Sequence, residues 1–259
     1  MKVKDIVSVI EDFAPLSVQE SWDNSGLIIG SPEWEVHGVL LGFDCTADLV
    51  DEAVECGADM IVTHHPLIFG GIKKISPEDP VGLAVLRAAA AGISVYAAHT
   101  TADKVLAGVS GAMARRLELK DIQILDEESG GCGLGAVGNL PKPMGGVEFI
   151  EYVKSKFGLK VARCSHIPEV PVERVAMCGG SGGSLIGNAL KAGAQAYLCG
   201  DISYHHFFTT KKFMVIDIGH FEGEVEIVEI LFSLLKKNFP NFAICTSVRL
   251  EKSNPVYYY

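Results

Sequence analysis

The sequence lacks the features that mark secreted, membrane-spanning and nucleic-acid-binding proteins. Its seven cysteines never form a C-x-x-C pair, so neither a disulfide framework nor a thiolate zinc site is expected. No apolar run reaches the length of a membrane span, and Asp5 and Glu11 interrupt the N-terminal segment where a signal peptide would need an apolar core. Basic residues are few: 22 Lys plus Arg stand against 32 Asp plus Glu, and the net charge of -10 would repel a phosphate backbone. We therefore expect a cytoplasmic protein that binds neither membranes nor nucleic acid.

Short apolar runs alternate with helical periodicity along the chain, a pattern that is typical of α/β folds with largely parallel sheets. Strands are predicted at 39–43, 60–63, 93–98, 174–178, 196–199 and 213–218. Helices are predicted at 4–13, 46–56, 80–91, 105–117, 147–157, 184–192 and 222–237. The sequence therefore predicts an α/β fold of two similar lobes with mixed, largely parallel sheets.

The Gly- and Pro-rich segment 128–146 is the best candidate for a lobe boundary, although "GLGAVGNL" inside it also fits a strand. We therefore predict a first α/β lobe at 1–127 and a second at 128–221. The remaining segment, 222–259, is predicted to form a helix and a strand that pack back on the first lobe.

The chain also resembles itself at two fixed offsets. The segment 39–65, shifted by 136 positions, matches 175–201 without a gap and with five identities in 27 positions. A shift of 121 brings His99 onto His220 and Asp103 onto Glu224. Shared β-α-β patterning can produce such matches, but a duplication would gather polar residues at equivalent strand ends of two half-molecules.

Most of the histidines stand at or just beyond the ends of predicted strands. Six of the eight do so, together with three carboxylates: His64, His65, His99, Asp103, Asp201, His205, His206, His220 and Glu224. Ligands of open α/β sheets bind outside the carboxyl ends of the strands, and imidazole with carboxylate suits Zn, Fe, Mn, Co or Ni. A lone histidine at a strand end is more often a structural residue, and H-x-x-x-E is often a surface pair. The joint occurrence favours a metal site in the crevice between the two lobes.

Three further features have a structural or a supporting interpretation. The Gly-rich loop at 179–183, "GGSGG", can either cradle an anion ahead of a helix or make a tight strand-to-helix turn. The segment "SWDNSGLIIG" at 21–30 is explained by an aromatic plug beside an Asx turn. Asp44, at the end of the first predicted strand, is a candidate partner for a ligand histidine.

Five ordered segments resemble the motifs of the Nif-three-like family, whose members carry the name GTP cyclohydrolase I type 2: "ESWDNSGLIIG", "VTHHPLIFGGIKKI", "HTTAD", "CGDISYHH" and "DIGHFEGE". The resemblance spans nearly the whole chain and fits the short form without an inserted middle domain. It implies two α/β lobes, a dinuclear metal centre and a ring-shaped homohexamer built from dimers. It also implies the metal ligands, with Glu224 as the bridging carboxylate: His64, His65, Asp103, His220 and Glu224. His99 and His205 would lie close by as supporting or proton-transfer groups.

Hydrolysis is the chemistry that these residues would serve. Two divalent ions about 3.5 to 4 Å apart would activate a water molecule and polarise a substrate oxygen. His99 or His205 would then be the catalytic general acid or base. The expected substrate is a small molecule such as a nucleotide, opened with release of formate as in GTP cyclohydrolase chemistry. Two alternatives stay open: a metal-dependent phosphoesterase, and a non-enzymatic metal-binding oligomeric scaffold or regulatory protein.

Overall fold

The computed structural model describes residues 1–128 and 130–259, which form two compact units. The first unit contains Met1–Ala102 and Ile227–Tyr257 with Tyr259, and the second contains Asp103–Glu226 with Tyr258. These bounds differ from the predicted boundary near residue 128, because the Gly-rich segment there belongs to a continuous sheet rather than to a linker.

The described residues, 1–128 and 130–259, form nine α-helices and eleven strands. The helices are α1 Val3–Phe13, α2 Ala47–Cys56, α3 Pro80–Ala91, α4 Thr100–Asp103, α5 Val109–Arg116, α6 Gly146–Phe157, α7 Ile186–Lys191, α8 His220–Glu224 and α9 Glu226–Asn238. The strands are β1 Gly26–Ile29, β2 Gly38–Gly42, β3 Met60–Thr63, β4 Ser94–Ala97, β5 Lys120–Glu127, β6 Gly133–Met144, β7 Arg163–Cys164, β8 Val172–Met177, β9 Ala196–Cys199, β10 Met214–Asp217 and β11 Ala243–Thr246. No helix within this described part of the chain is long and apolar enough to cross a bilayer.

A five-stranded sheet forms the centre of the first unit, in the order β1-β4-β3-β2-β11. Four of its strands run parallel, and β1 pairs antiparallel with β4 at one edge. The strands β2, β3 and β4 are buried along their whole length, as expected for parallel strands covered on both faces. The helices α2 and α3 begin at side-chain caps, since Thr46 accepts from Leu49 N and Asp79 accepts from Gly82 N.

A six-stranded sheet forms the centre of the second unit, in the order β5-β6-β8-β9-β10-β7. Here β8, β9 and β10 run parallel, whereas β5, β6 and β7 are antiparallel to their neighbours. Each unit therefore contains a mixed sheet with neighbouring parallel strands, four in the first unit and three in the second, which confirms the predicted fold class.

The strand registers repeat the internal match of the sequence. The pairing of β2 with β3 has the same register as that of β8 with β9 when shifted by 136 positions. The registers of β4 and β10 match at a shift of 120, whereas His99 and His220 match at 121. The second unit thus has one additional residue between its strand and its histidine. Gly219, with φ of 88°, lies in that stretch immediately before α8.

The structure corrects several predicted elements. The helix predicted at 105–117 begins only at Val109, after a loop in which Leu106 O approaches Gly111 so closely that a Cβ there would lie 1.7 Å from this oxygen. The helix predicted at 222–237 is divided into α8 and α9. The strands β1, β5 and β7 are absent from the predicted set, and "GLGAVGNL" is part of β6.

Gly57 and Gly193 follow α2 and α7 and correspond to each other in the internal match at a shift of 136 positions. Substitution of either glycine by alanine is expected to destabilise the protein by about 1 kcal/mol. Gly57 and Gly193 have φ of 72° and 76°, and a Cβ at either position meets nothing within 4 Å, so only the backbone conformation opposes alanine. Denaturant unfolding of Gly57→Ala and Gly193→Ala measures the loss. Gly187→Ala is the control, because this glycine lies in α7 without a positive φ, and alanine favours a helix there. Unchanged stability in both test variants would contradict the expectation.

Candidate metal centre

Three histidines of the first unit converge at the carboxyl ends of neighbouring strands. His64 and His65 follow β3, and His99 follows β4, the parallel neighbour of β3. One ligand atom from each lies within 4.8 Å of the others, a spacing that can hold a metal ion. His64 is fully buried, and only 12% and 10% of the side chains of His65 and His99 are exposed.

The adjacent His64 and His65 reach the same place because the chain turns at the end of β3. Their backbone N–H groups both donate to Phe43 O at 3.2 Å, and the Thr63 hydroxyl donates to His65 O at 2.8 Å. In a continued strand the two side chains would point to opposite faces of the sheet. At this turn their ring centroids are instead 4.9 Å apart.

Each of the three imidazoles is anchored through Nδ1. This nitrogen donates to a neighbouring oxygen in every case: His64 to Ala98 O at 2.9 Å, His65 to Asp44 Oδ1 at 2.7 Å and His99 to Asp23 Oδ1 at 2.7 Å. An oxygen acceptor fixes the proton on Nδ1 and leaves the lone pair on Nε2, the nitrogen that can then coordinate a metal. The contact of Asp44 with His65 is the one that its position at the end of the first strand predicts.

Asp23 is the residue of this cluster that the sequence interpretation misses. Its side chain has no exposed surface and accepts hydrogen bonds from the ring of His99 and the hydroxyls of Thr100 and Ser25. Burial acts to raise the pKa of Asp23, but these hydrogen bonds outweigh it and hold the pKa well below its usual range. Asp23 therefore stays ionised and orients His99. Nothing in "SWDNSG" points to a histidine 76 positions away.

In the second unit, His220 lies between two carboxylates. Its Nδ1 lies 2.7 Å from Asp201 Oδ2, and its Nε2 lies 3.0 Å from Glu224 Oε2. A neutral imidazole can donate from only one nitrogen, so contact with both carboxylates calls for additional positive charge. A second proton on the ring would supply that charge, and so would a bound divalent cation.

A second carboxylate strengthens the same argument. An oxygen of Asp103 lies within 4.8 Å of one of Glu224, whose exposure is only 4%. Two ionised carboxylates at this distance repel each other by about 3 kcal/mol at an effective dielectric constant of 20. The adjacent carboxylates of Asp103 and Glu224 therefore favour binding of a cation.

Glycines allow the backbone to approach α8 closely. Gly180 has φ of 53°, and a Cβ there would lie 2.2 Å from Glu224 Oε1 and 3.1 Å from His220 Cε1. A Cβ at Gly200 would lie 2.7 Å from His220 Cα. The Gly-rich loop 179–183 thus packs directly against two candidate ligands, which favours a tight turn over an anion cradle.

Gly180→Ala is expected to displace the Glu224 carboxylate and to lower the affinity for Mn²⁺ by about 10- to 100-fold, as for other residues that support metal ligands. Calorimetric titration of metal-free protein with Mn²⁺ measures the affinity. Gly187→Ala is again the control, because its Cβ meets nothing within 4 Å. If Gly180→Ala binds Mn²⁺ as tightly as the wild type, the Gly-rich loop does not support the metal ligands.

His205 and His206 lie outside these clusters. They belong to the 3₁₀ turn Tyr204–Phe207 of the second unit and are exposed, with the ring of His205 against those of Tyr204 and Phe208. Among the described residues, the groups that can hold a metal contain neither of them. The proton-transfer role of His205 stays a prediction.

The likeness to known proteins extends over almost the whole chain. The profile of the Duf34/NIF3 (NGG1p interacting factor 3) family matches residues 1–255. The chain belongs to the Duf34/NIF3 family. A relative from Clostridium acetobutylicum, named GTP cyclohydrolase 1 type 2 homolog, is 32% identical over 259 residues, 98% of this chain and 97% of the relative. A relative of the same name from Clostridium perfringens is 35% identical over 229 residues, 86% of this chain and 87% of the relative.

The fold of this Duf34/NIF3 chain also matches a solved structure. The crystal structure of a Staphylococcus aureus hypothetical protein has a TM-score of 0.92 and 28% identity, and the match covers 100% of this chain and 99% of that protein. The resemblance to the Nif-three-like family is therefore confirmed.

The candidate donors of this Duf34/NIF3 chain are imidazole nitrogens and carboxylate oxygens. Among the described residues, no group that can hold a metal contains a cysteine, and burial raises the pKa of Cys178 well above its usual value and that of Cys199 to about 12, so without a metal these thiols stay protonated. Nitrogen and oxygen donors without thiolate suit Zn, Fe, Mn, Co or Ni. As predicted, the chain thus has residue groups that can bind a divalent metal.

Proposed function

We propose that the chain is a metal-dependent hydrolase that binds two divalent ions through His64, His65, Asp103, His220 and Glu224. The observation that carries the proposal is the convergence of His64, His65 and His99 at the strand ends of the first unit, with one ligand atom from each within 4.8 Å of the others. Their Nδ1 hydrogen bonds leave the Nε2 lone pairs available to a metal. In the second unit, the adjacent carboxylates of Asp103 and Glu224 add support, because their charges favour a bound cation.

The chain's own groups would position and protonate the substrate. When bound, the ions would polarise a substrate oxygen and activate a water molecule. Asp44 and Asp201 orient the rings of His65 and His220. We propose His99 as the proton-transfer group, because the Asp23 carboxylate 2.7 Å from its Nδ1 stabilises the imidazolium that forms when Nε2 takes up a proton.

The proposed reaction is ring-opening hydrolysis with release of formate, and GTP is the first substrate to test. Support comes from the relatives named GTP cyclohydrolase 1 type 2 homolog, two of which match nearly the full chain. We also propose that the protein works as a homo-oligomer, a hexamer by its resemblance to the family.

A substrate panel tests the proposed reaction. Protein loaded with Mn²⁺ or Zn²⁺ is incubated with GTP, formamides and phosphoesters, and release of formate and of phosphate is measured. We expect formate release from GTP, with at least about a 100-fold loss in His65→Ala. His37→Ala is the control, because this exposed histidine pairs with Asp59 outside the clusters.

The other outcomes separate the alternatives. Phosphate release without formate would identify a phosphoesterase. Metal binding without turnover of any substrate in the panel would contradict the hydrolase and favour a metal-binding scaffold.

A further inference from the structure

A cleft in the first unit opens beside His65. Its volume is about 500 Å³, and it lies between the N-terminal ends of α2 and α3 and the segment that follows β3. This volume falls in the range of small-molecule sites. Most of its wall is apolar, with contributions from Pro66, Leu67, Phe69, Val81 and Leu83. His65 and Asp44 also line it, so the cleft borders one of the candidate metal ligands.

Phe69 gives the cleft an aromatic surface. The residue is 52% exposed, and its ring stands edge-on to that of His99, with 5.3 Å between the centroids. The centroid of His65 is 6.2 Å from that of Phe69. A flat ligand that packs on Phe69 would therefore lie next to the histidine cluster.

The charge of the cleft is negative. Asp44, Asp48 and Glu78 line it, and its lining residues, all of them within the described part of the chain, include no lysine or arginine. Helix N-termini attract anions with about half a positive charge each. Those of α2 and α3 already have side-chain caps, since Leu49 N donates to the Thr46 hydroxyl and Gly82 N to Asp79. The negative charge of these three carboxylates therefore exceeds the partial positive charge of the two helix N-termini, so the cleft disfavours an anionic ligand.

We propose that this cleft binds an apolar ring that bears a neutral or positively charged nitrogen donor, and that it excludes phosphate and carboxylate groups. The proposal rests on the proposed function in one respect: the ligand is the substrate, or part of the substrate, of the neighbouring metal centre. It narrows the substrate class, because a triphosphate such as that of GTP would have to lie outside the cleft.

Benzamidine, benzamide and benzoate test this preference, because they share one ring and differ in charge. Their binding to metal-free protein is measured by ligand-detected NMR, so that no ion contributes. Benzamidine is expected to bind at least about 10-fold more tightly than benzoate, with benzamide between them.

Substitutions locate the binding. Val81→Trp, at an exposed position of α3 that lines the cleft, should weaken benzamidine binding at least about 10-fold, because the indole fills the space. Leu86→Trp, also exposed on α3 but outside the lining, should leave binding unchanged. The pair Asp48→Asn with Glu78→Gln should reduce the preference for benzamidine over benzoate, whereas Glu148→Gln in the second unit should not.

Two results would overturn the proposal. One is benzoate binding as tightly as benzamidine, and the other is unchanged benzamidine binding in Val81→Trp. Because the assay uses metal-free protein, it is independent of the metal hypothesis. Absence of metal binding would defeat the proposed hydrolase while leaving the selectivity of the cleft measurable.

Discussion

In a Glu224→Gln variant, the affinity for Mn²⁺ is expected to fall at least about 100-fold. Loss of a residue that only orients a ligand lowers metal affinity by about 10- to 100-fold, so loss of a ligand itself should lower it at least as much. Glutamine keeps the size of the side chain but removes the charge of a carboxylate that is 4% exposed and lies 3.0 Å from His220 Nε2. The stabilisation that Mn²⁺ gives the folded protein is expected to fall with the affinity, because ligand binding to the native state adds to its stability.

Thermal unfolding with and without Mn²⁺ measures both effects together. At a concentration of Mn²⁺ 100 times its Kd, the wild type should gain about 2.7 kcal/mol of stability, and the variant should gain far less. Glu226→Gln is the control, because Glu226 belongs to the same unit and pairs with Arg116 at 3.3 Å. If Glu224→Gln binds Mn²⁺ as tightly as the wild type, Glu224 is not a ligand.

Asp23→Asn is expected to destabilise the first unit by about 3 kcal/mol at pH 7. The carboxylate accepts from His99, Thr100 and Ser25 in a position without exposed surface, and an amide nitrogen in place of one oxygen cannot accept. At least one of these donors therefore loses its partner. His99 also loses the negative charge that would stabilise its imidazolium, so the proposed hydrolysis should slow at least about 100-fold.

The pH dependence of stability gives an independent test of Asp23. Although burial alone would raise its pKa, hydrogen bonds place the folded-state pKa below the unfolded value of about 4. The carboxylate thus contributes stability above pH of about 4, and this contribution is lost as the pH falls through the folded-state pKa. The stability difference between wild type and Asp23→Asn should be complete at pH 7 and shrink below about pH 4.

Denaturant unfolding at several pH values measures this difference. Asp12→Asn, an exposed substitution in α1, should show neither the loss at pH 7 nor its pH dependence. A difference that stays constant from pH 7 to pH 3 would contradict the assigned role of Asp23.

The parallel strands could be predicted from the sequence because they are buried on both faces. β3 and β9 are therefore continuous apolar runs. β5 could not be predicted, since Lys120–Glu127 is largely polar and forms the edge of its sheet. The glycines of β6 resemble a linker in composition. They instead allow β5 to lie close to β6, because a Cβ at Gly138 would lie 2.9 Å from Lys120 O. That close approach depends on tertiary packing rather than on local propensity.

The candidate ligands could be predicted for a different reason. Carboxyl ends of parallel neighbours share one edge of a sheet, so residues such as His64 and His99 meet although 35 positions separate them. Asp23 and its hydrogen bond to His99 could not be predicted in this way, because Asp23 precedes an antiparallel edge strand and no periodicity connects it to His99. Residues that orient a ligand leave little trace in spacing, since their contacts arise only from the folded chain.

Metal content per chain tests the central claim most directly. Metal-free wild type, His65→Ala, His220→Ala and His37→Ala are each incubated with excess Mn²⁺, passed through gel filtration and analysed for bound ions by mass spectrometry. The account predicts two ions per chain in the wild type and in His37→Ala, and fewer than two in His65→Ala and in His220→Ala, because each removes a ligand. Wild type that retains no stoichiometric metal, or equal metal content in all four proteins, would contradict it.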